Sequence, residues 1–234
     1  MVYLLPILAV VVAVAFIIGY YFFRKDSLYV LGIGAAVSSN VYNVNAYSID
    51  AGWLIFGLDS VIYILFVFCV MVACKDFGKQ SAKAITFSSM AGIMLTAIFD
   101  FFAKWATIGI AKDVIWGFVS FAISVCAIYL SISLGLWLYE KMRNKCAYFV
   151  NLGVSIVVSS VTNSIIYFGV MFIIGADLFG NFFGTLVGSV IGKIGTLLIL
   201  LCAYEVVRLL DNKKKLKSNA ETLDAMKDTT EEQK

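Results

Sequence analysis

The chain has no histidine, one proline (Pro6) and only 14% charged residues in 234, and each shortage excludes something. Without histidine, the commonest general base and the imidazole metal ligand are gone. No cysteine pair has Cys-x-x-Cys spacing either, so the usual ligand sets for zinc, haem and iron–sulfur centres are missing and no cofactor is expected. His-Glu-x-x-His and Gly-Lys-Ser/Thr phosphate loops are also absent. Asp59 and Asp100 are the one candidate aspartyl dyad, but Ile98-Phe99-Asp100-Phe101 lacks the glycine context of an intramembrane protease, and the expectation is a protein that is not an enzyme. The five cysteines (Cys69, Cys74, Cys126, Cys146, Cys202) are odd in number and lie in or at the ends of apolar stretches, as small buried hydrophobes do. A soluble domain carries about 25% charged residues. With 62% hydrophobic residues and a mean hydropathy of +0.94, this composition is that of an integral membrane protein.

Seven apolar segments approach the ~20 residues needed to cross a bilayer: 2–23, 28–48, 51–74, 84–103, 114–138, 147–175 and 182–207. The expected fold is all-α, one polytopic bundle over residues 1–210 with about seven transmembrane helices, or six if the first or second segment does not cross. The second is the weakest, being interrupted by Asn40, Asn43 and Asn45. The first lacks a basic stretch before its hydrophobic run and has Arg24 and Lys25 after it, which reads as a retained helix and not a cleaved signal peptide.

Basic residues divide sharply between alternate loops. Arg24 and Lys25, then Lys75, Lys79 and Lys83, then Lys141, Arg143 and Lys145, and seven in the tail account for fifteen of the eighteen. The intervening loops hold only Lys104 and Lys112, and Lys193 lies within a span. Because the basic side is cytoplasmic, the expected location is the cell membrane, with the N-terminus outside and the C-terminus inside. Residues 211–234 turn Lys-rich and then acidic and are expected to be a disordered tail or a short frayed helix. The Lys213–Lys215 run would touch anionic headgroups, each residue contributing on the order of 1 kcal/mol.

Polar residues inside the spans are the candidates for function. Lys193 is a lone cation in the middle of the last apolar segment, where even a lenient scale charges ~2.5–3.5 kcal/mol. Asp59 and Asp100 are similarly placed acids, and the amides Asn40, Asn43 and Asn163 fall in the same depth zone, between the outer surface and the midplane. These six residues are the candidate binding set for a polar solute. The competing structural reading is an interhelical ion pair between Lys193 and either acid, with the amides bonding helix to helix. Gly180, Gly184, Gly188 and Gly192 recur every four residues, a ridge on which another backbone can pack closely, from within the bundle or from a partner subunit.

Seven spans and a lysine in the seventh also describe retinal-binding rhodopsins, but Ser189 stands where those usually carry an acid one turn before the lysine, and Pro6 is the only proline. A closer resemblance runs through Ser38-Ser39-Asn40, Asp50-Ala51-Gly52-Trp53-Leu54-Ile55-Phe56-Gly57, Lys75-Asp76-Phe77-Gly78-Lys79-Gln80-Ser81-Ala82 and Ser159-Ser160-Val161-Thr162-Asn163-Ser164-Ile165-Ile166-Tyr167-Phe168-Gly169. These patches resemble the queuosine-precursor transporters of the vitamin-uptake-transporter family. The chain departs from that pattern at Gly57, where the family commonly has proline, and at Met71 and Asn163, where acids are frequent. The resemblance implies uptake of a 7-deazaguanine (the cyano or aminomethyl precursor, or queuine), with carboxylates accepting from the ring N–H and exocyclic amine, amides serving the carbonyl, and Trp53, Tyr63, Phe101 or Trp105 stacking on the ring. The family is similar to the binding subunits of energy-coupled vitamin importers, which implies another vitamin as the alternative solute. The expected partners are the bilayer, the solute and either energising subunits or further copies of this chain, with no nucleic acid.

Overall fold

The computed structural model describes residues 4–44, 48–51, 54–108, 112–174 and 182–231. Among the described residues seven helices form one bundle: α1 (Leu4–Phe23), α2 (Lys25–Val44), α3 (Asp59–Phe77), α4 (Lys79–Ile108), α5 (Lys112–Met142), α6 (Tyr148–Ile173) and α7 (Phe182–Glu231). Between α2 and α3 lies an antiparallel hairpin, β1 (Ser48–Ala51) and β2 (Leu54–Gly57), paired from Ser48 with Gly57 to Ala51 with Leu54.

α3 is the axis. Every residue from Ser60 to Cys74 other than Ile62 is buried, and the helix touches all six others. All-round apolarity does not by itself put a helix at the centre of a bundle in lipid, since the more apolar α1 buries far less of its surface; α3 is central because its neighbours pack closely on every side. Its neighbours come close through small residues: a Cβ on Gly135 of α5 would lie 2.5 Å from Met71 on α3, and one on Gly32 of α2 would lie 2.9 Å from Ile85 on α4. Such contacts are the usual means of helix association where lipid supplies no hydrophobic drive.

By length and composition, six of the seven helices can cross a membrane, and α2 is the exception. It nevertheless carries the chain through the bundle. Arg24, just before it, pairs with Asp211 on α7, whereas β2, after it, packs against Gly188 on α7. Those positions on α7 are about 34 Å apart at 1.5 Å per residue. α2 can be less apolar because its polar side chains turn inward: Ser39 and Asn40 are 3% and 4% exposed.

Two of the turns at the Arg24 end are one residue long. Arg24 sits at φ 49° between α1 and α2, and Gly78 at φ 90° between α3 and α4. The latter conformation suits glycine, which has no Cβ to clash. Lys79 pairs with Glu140 at 2.7 Å, and Arg208 donates to Tyr148. The basic loops of the sequence therefore meet at one end of the bundle, opposite the hairpin.

One boundary differs from expectation. The segment 51–74 does not run as one helix: Ala51 ends β1, Leu54–Gly57 form β2, and Leu58 leads into a helix that starts at Asp59. Four-residue strands were hidden in a stretch whose hydropathy alone resembles a span. The tail, expected to be disordered or a frayed helix, continues α7 to Glu231. From Leu197 onward it contains no glycine or proline, so nothing in the sequence stops the helix.

Candidate functional site

Five helices bring polar side chains to one cavity near the hairpin end of the bundle. It is lined by Ser39 and Asn40 from α2, Asp59 and Tyr63 from α3, and Ser124 and Ile128 from α5. α6 adds Asn163, Ser164, Tyr167 and Phe168, and α7 adds Lys193. The helical period accounts for the α6 contribution: Asn163 and Tyr167, like Ser164 and Phe168, are four apart and share a face.

Lys193 is 3% exposed; its Nζ donates to Ser164 Oγ at 2.6 Å and lies 4.7 Å from the centroid of the Tyr63 ring. The hydroxyl chain continues from Ser164 to Ser189 (3.4 Å) and from Ser189 to Ser60 (3.0 Å), linking α6, α7 and α3. Among the described residues no carboxylate lies within 4.0 Å of Lys193, so the direct ion pair weighed from the sequence does not form. Asp59 is the acid that shares its cavity and interacts with it electrostatically. Asp59 opens α3, where the helix N-terminus favours a negative charge, and its carboxylate folds back to within 2.0 Å of where a Cβ on Gly57 would stand. A proline or any other side chain at position 57 would displace it.

The amides on either side have acceptors to spare. Asn40 Nδ2 donates to the Ala36 carbonyl at 2.9 Å, but Asn40 Oδ1 is buried without a partner, and so is Asn163 Oδ1. The hydroxyls of Ser159 and Ser160, on the same helix as Asn163, are also buried and unpartnered. A buried polar atom left unpaired costs roughly 1–3 kcal/mol, and native proteins tolerate few of them without a reason. The space enclosed measures about 20 Å³ to the centre of a water molecule, enough for about one water.

Of the six candidate residues, Asn40, Asp59, Asn163 and Lys193 thus line one cavity. Asp100 does not: it lies near the end of α4 and pairs with Lys104 one turn on at 2.8 Å, both side chains about a third exposed. Its place in the sequence put it at the right depth, but the rotation of α4 turns it toward its own i+4 neighbour. Asn43 is on α2, with its side chain outside the described residues. Of the proposed stacking rings Tyr63 lines the cavity, whereas Phe101 and Trp105 pack on each other and Phe101 on Phe118; Trp53 lies outside the described residues. Tyr167, Phe168 and Ser124 were not singled out from the sequence. For the first two the signal was present, in their spacing from Asn163 and Ser164. Ser124 carried none, because a lone serine in an apolar helix looks the same on any face. Tyr167 is tied to α5 by a 2.6 Å hydrogen bond with Ser120, one turn before Ser124.

At Gly188 and Gly192 the glycine ridge is occupied from within, whereas Gly180 lies outside the described residues. A Cβ on Gly188 would stand 2.2 Å from the Ile55 carbonyl oxygen, and one on Gly192 would stand 3.7 Å from Ser60 Cβ. The backbone packed there is a strand, β2, where the sequence suggested another helix or a partner. Its seating fixes the approach to Asp59, two residues beyond.

A helical apolar bundle of this kind is compatible with a membrane transporter. Compared with protein-family models, with curated proteins and with solved structures, the chain has no significant match.

Proposed function

We propose that this chain is a multi-pass transporter that takes up a flat, hydrogen-bonding heterocycle through the cavity of Asn40, Asp59, Asn163 and Lys193, and releases it chemically unchanged. The observation that carries this reading is the pair of buried, unpartnered amide oxygens, Asn40 Oδ1 and Asn163 Oδ1, lining one cavity with the Asp59 carboxylate. Three acceptors from three helices suit a solute rich in N–H donors, and Tyr63, Tyr167 and Phe168 supply aromatic surface beside them. A 7-deazaguanine queuosine precursor, which the sequence motifs suggest, has that pattern in its ring N–H and exocyclic amine. A bicyclic base needs more room than about 20 Å³, so the lining side chains must part to admit it and close behind it.

Binding of 7-deazaguanines to the purified chain tests the proposal. Asn40→Ala, Asn163→Ala and Asp59→Asn are each expected to weaken affinity about 5- to 150-fold, corresponding to ~1–3 kcal/mol for one lost partner. Asp100→Asn should leave it within about twofold. No saturable binding by the parent would remove the solute assignment; equal losses from Asp100→Asn would remove the site.

The proposed orientation puts the Arg24 end and α7's extension in the cytoplasm, from the basic asymmetry. Cys146 is an exposed reporter at that end, between α5 and α6. A membrane-impermeant maleimide is expected to label it in inside-out vesicles and not in intact cells. Labelling from outside would invert the topology.

A further inference from the structure

At the end of the bundle opposite the hairpin, α1, α3 and α7 line an open cavity of about 380 Å³ that plays no part in the site above. Its floor is a built network. Asp76 accepts from Tyr20 and, at 2.8 Å, from Tyr204, while Lys75 donates to Tyr204 and lies 3.3 Å from Asp76. The Lys75 ammonium is held between two rings, 4.5 Å from the Tyr148 centroid and 4.6 Å from that of Tyr204. Tyr20 and Tyr204 are both buried.

Around this floor stand Arg24, Arg208 and Lys215. With Lys75, the lining has four cations against two carboxylates, Asp76 and Asp211. Asp211 is spent on Arg24, and its hydrogen bond holds that guanidinium even more firmly charged than usual. Glu205 reaches Arg208 at 3.4 Å from outside the lining. Lys215 has no ion-pair partner among the described residues, so the cavity keeps uncompensated positive charge. Arg208 makes its contacts through one terminal nitrogen, to both Glu205 oxygens (3.4 and 3.5 Å) and to the Tyr148 hydroxyl, so the rest of its guanidinium fork keeps N–H groups for a further anion, and oxyanions with several acceptors use them best.

We infer that this cavity binds a phosphate ester, with Arg208 and Lys215 holding the anion and the Lys75–Asp76–tyrosine floor setting its depth. A lipid headgroup and a soluble phosphorylated metabolite share that chemistry. Either ligand would tie α7 to α1 and α3 at the end of the bundle that the charge asymmetry assigns to the cytoplasm.

The test is thermal unfolding of the full chain in neutral detergent, titrated with glycerol 3-phosphate and, separately, with short-chain phosphatidylglycerol. Sodium chloride at matched ionic strength and short-chain phosphatidylcholine are the controls. Saturable stabilisation by glycerol 3-phosphate identifies a soluble phosphate ester, and stabilisation by phosphatidylglycerol alone identifies a headgroup. In either case, Arg208→Gln with Lys215→Gln should lower the affinity at least about tenfold, as expected for loss of charge-assisted hydrogen bonds. Lys213→Gln with Lys214→Gln removes the same charge from exposed positions outside the lining and should change it less than about threefold. No stabilisation beyond the controls would overturn the inference. Equal losses in the two double variants would overturn it too, by showing general attraction to a basic surface.

Discussion

Gly188→Ala is expected to unseat the hairpin and abolish solute binding together. The added methyl would stand 2.2 Å from the Ile55 carbonyl oxygen and 2.8 Å from its carbon, both backbone atoms that no rotamer change can move aside. Overpacking of a well-filled site typically costs 1–3 kcal/mol, and here relief requires β2 to shift as a unit. Because Leu58 alone separates β2 from Asp59, the carboxylate would move with the strand. Gly195→Ala is the matched control on the same helix: nothing lies within 4 Å of its added methyl, and alanine should be neutral or gain up to about 1 kcal/mol from helix propensity. Thermal unfolding in detergent and solute binding measure both effects. A Gly188→Ala protein as stable and as tightly binding as the parent would show that β2 does not depend on this contact.

Lys193→Met should be the most damaging change at the cavity itself. Methionine keeps the volume and removes the charge, leaving Asp59 without the one cation that shares its cavity and Ser164 without its donor. Removing one member of a buried charge pair costs about 3–5 kcal/mol when the partners touch. Lys193 and Asp59 do not approach within 4.0 Å, so a smaller loss of ~1–3 kcal/mol, that of buried polar groups left without a partner, is expected here. The coupled test adds Asp59→Asn: the double variant should recover part of the stability lost in Lys193→Met, whereas adding Asp100→Asn should recover none, since that acid is answered by Lys104. Strict additivity with Asp59 would sink the coupling. Recovery with Asp100 instead would mean that the wrong acid has been placed at the cavity. Solute binding should fail in both the single and the double variant if the charges act on the ligand as well as on each other.

The sequence by itself determined the membrane character, the approximate helix positions, the two chemically distinct ends and most of the candidate site. Hydropathy and charge asymmetry report directly on the solvent each segment meets, and a charged or amide side chain in an apolar run is costly enough to stand out without any knowledge of its neighbours. Asn40, Asp59, Asn163 and Lys193 were legible for that reason. Tertiary structure alone decided the rest. Depth along a helix can be counted from sequence, but rotation about the helix axis is set by which face its neighbours cover, and this separates Asp59, which turns to the cavity, from Asp100, which turns to Lys104. The glycine ridge announced a close approach without naming what approaches, because a missing Cβ admits a strand as readily as a helix, and only packing shows Ile55 against Gly188. The cavity at the Arg24 end is further still from view in one dimension: Tyr20, Asp76 and Tyr204 are neighbours only because α1, α3 and α7 meet there, and no local pattern in the chain records that meeting.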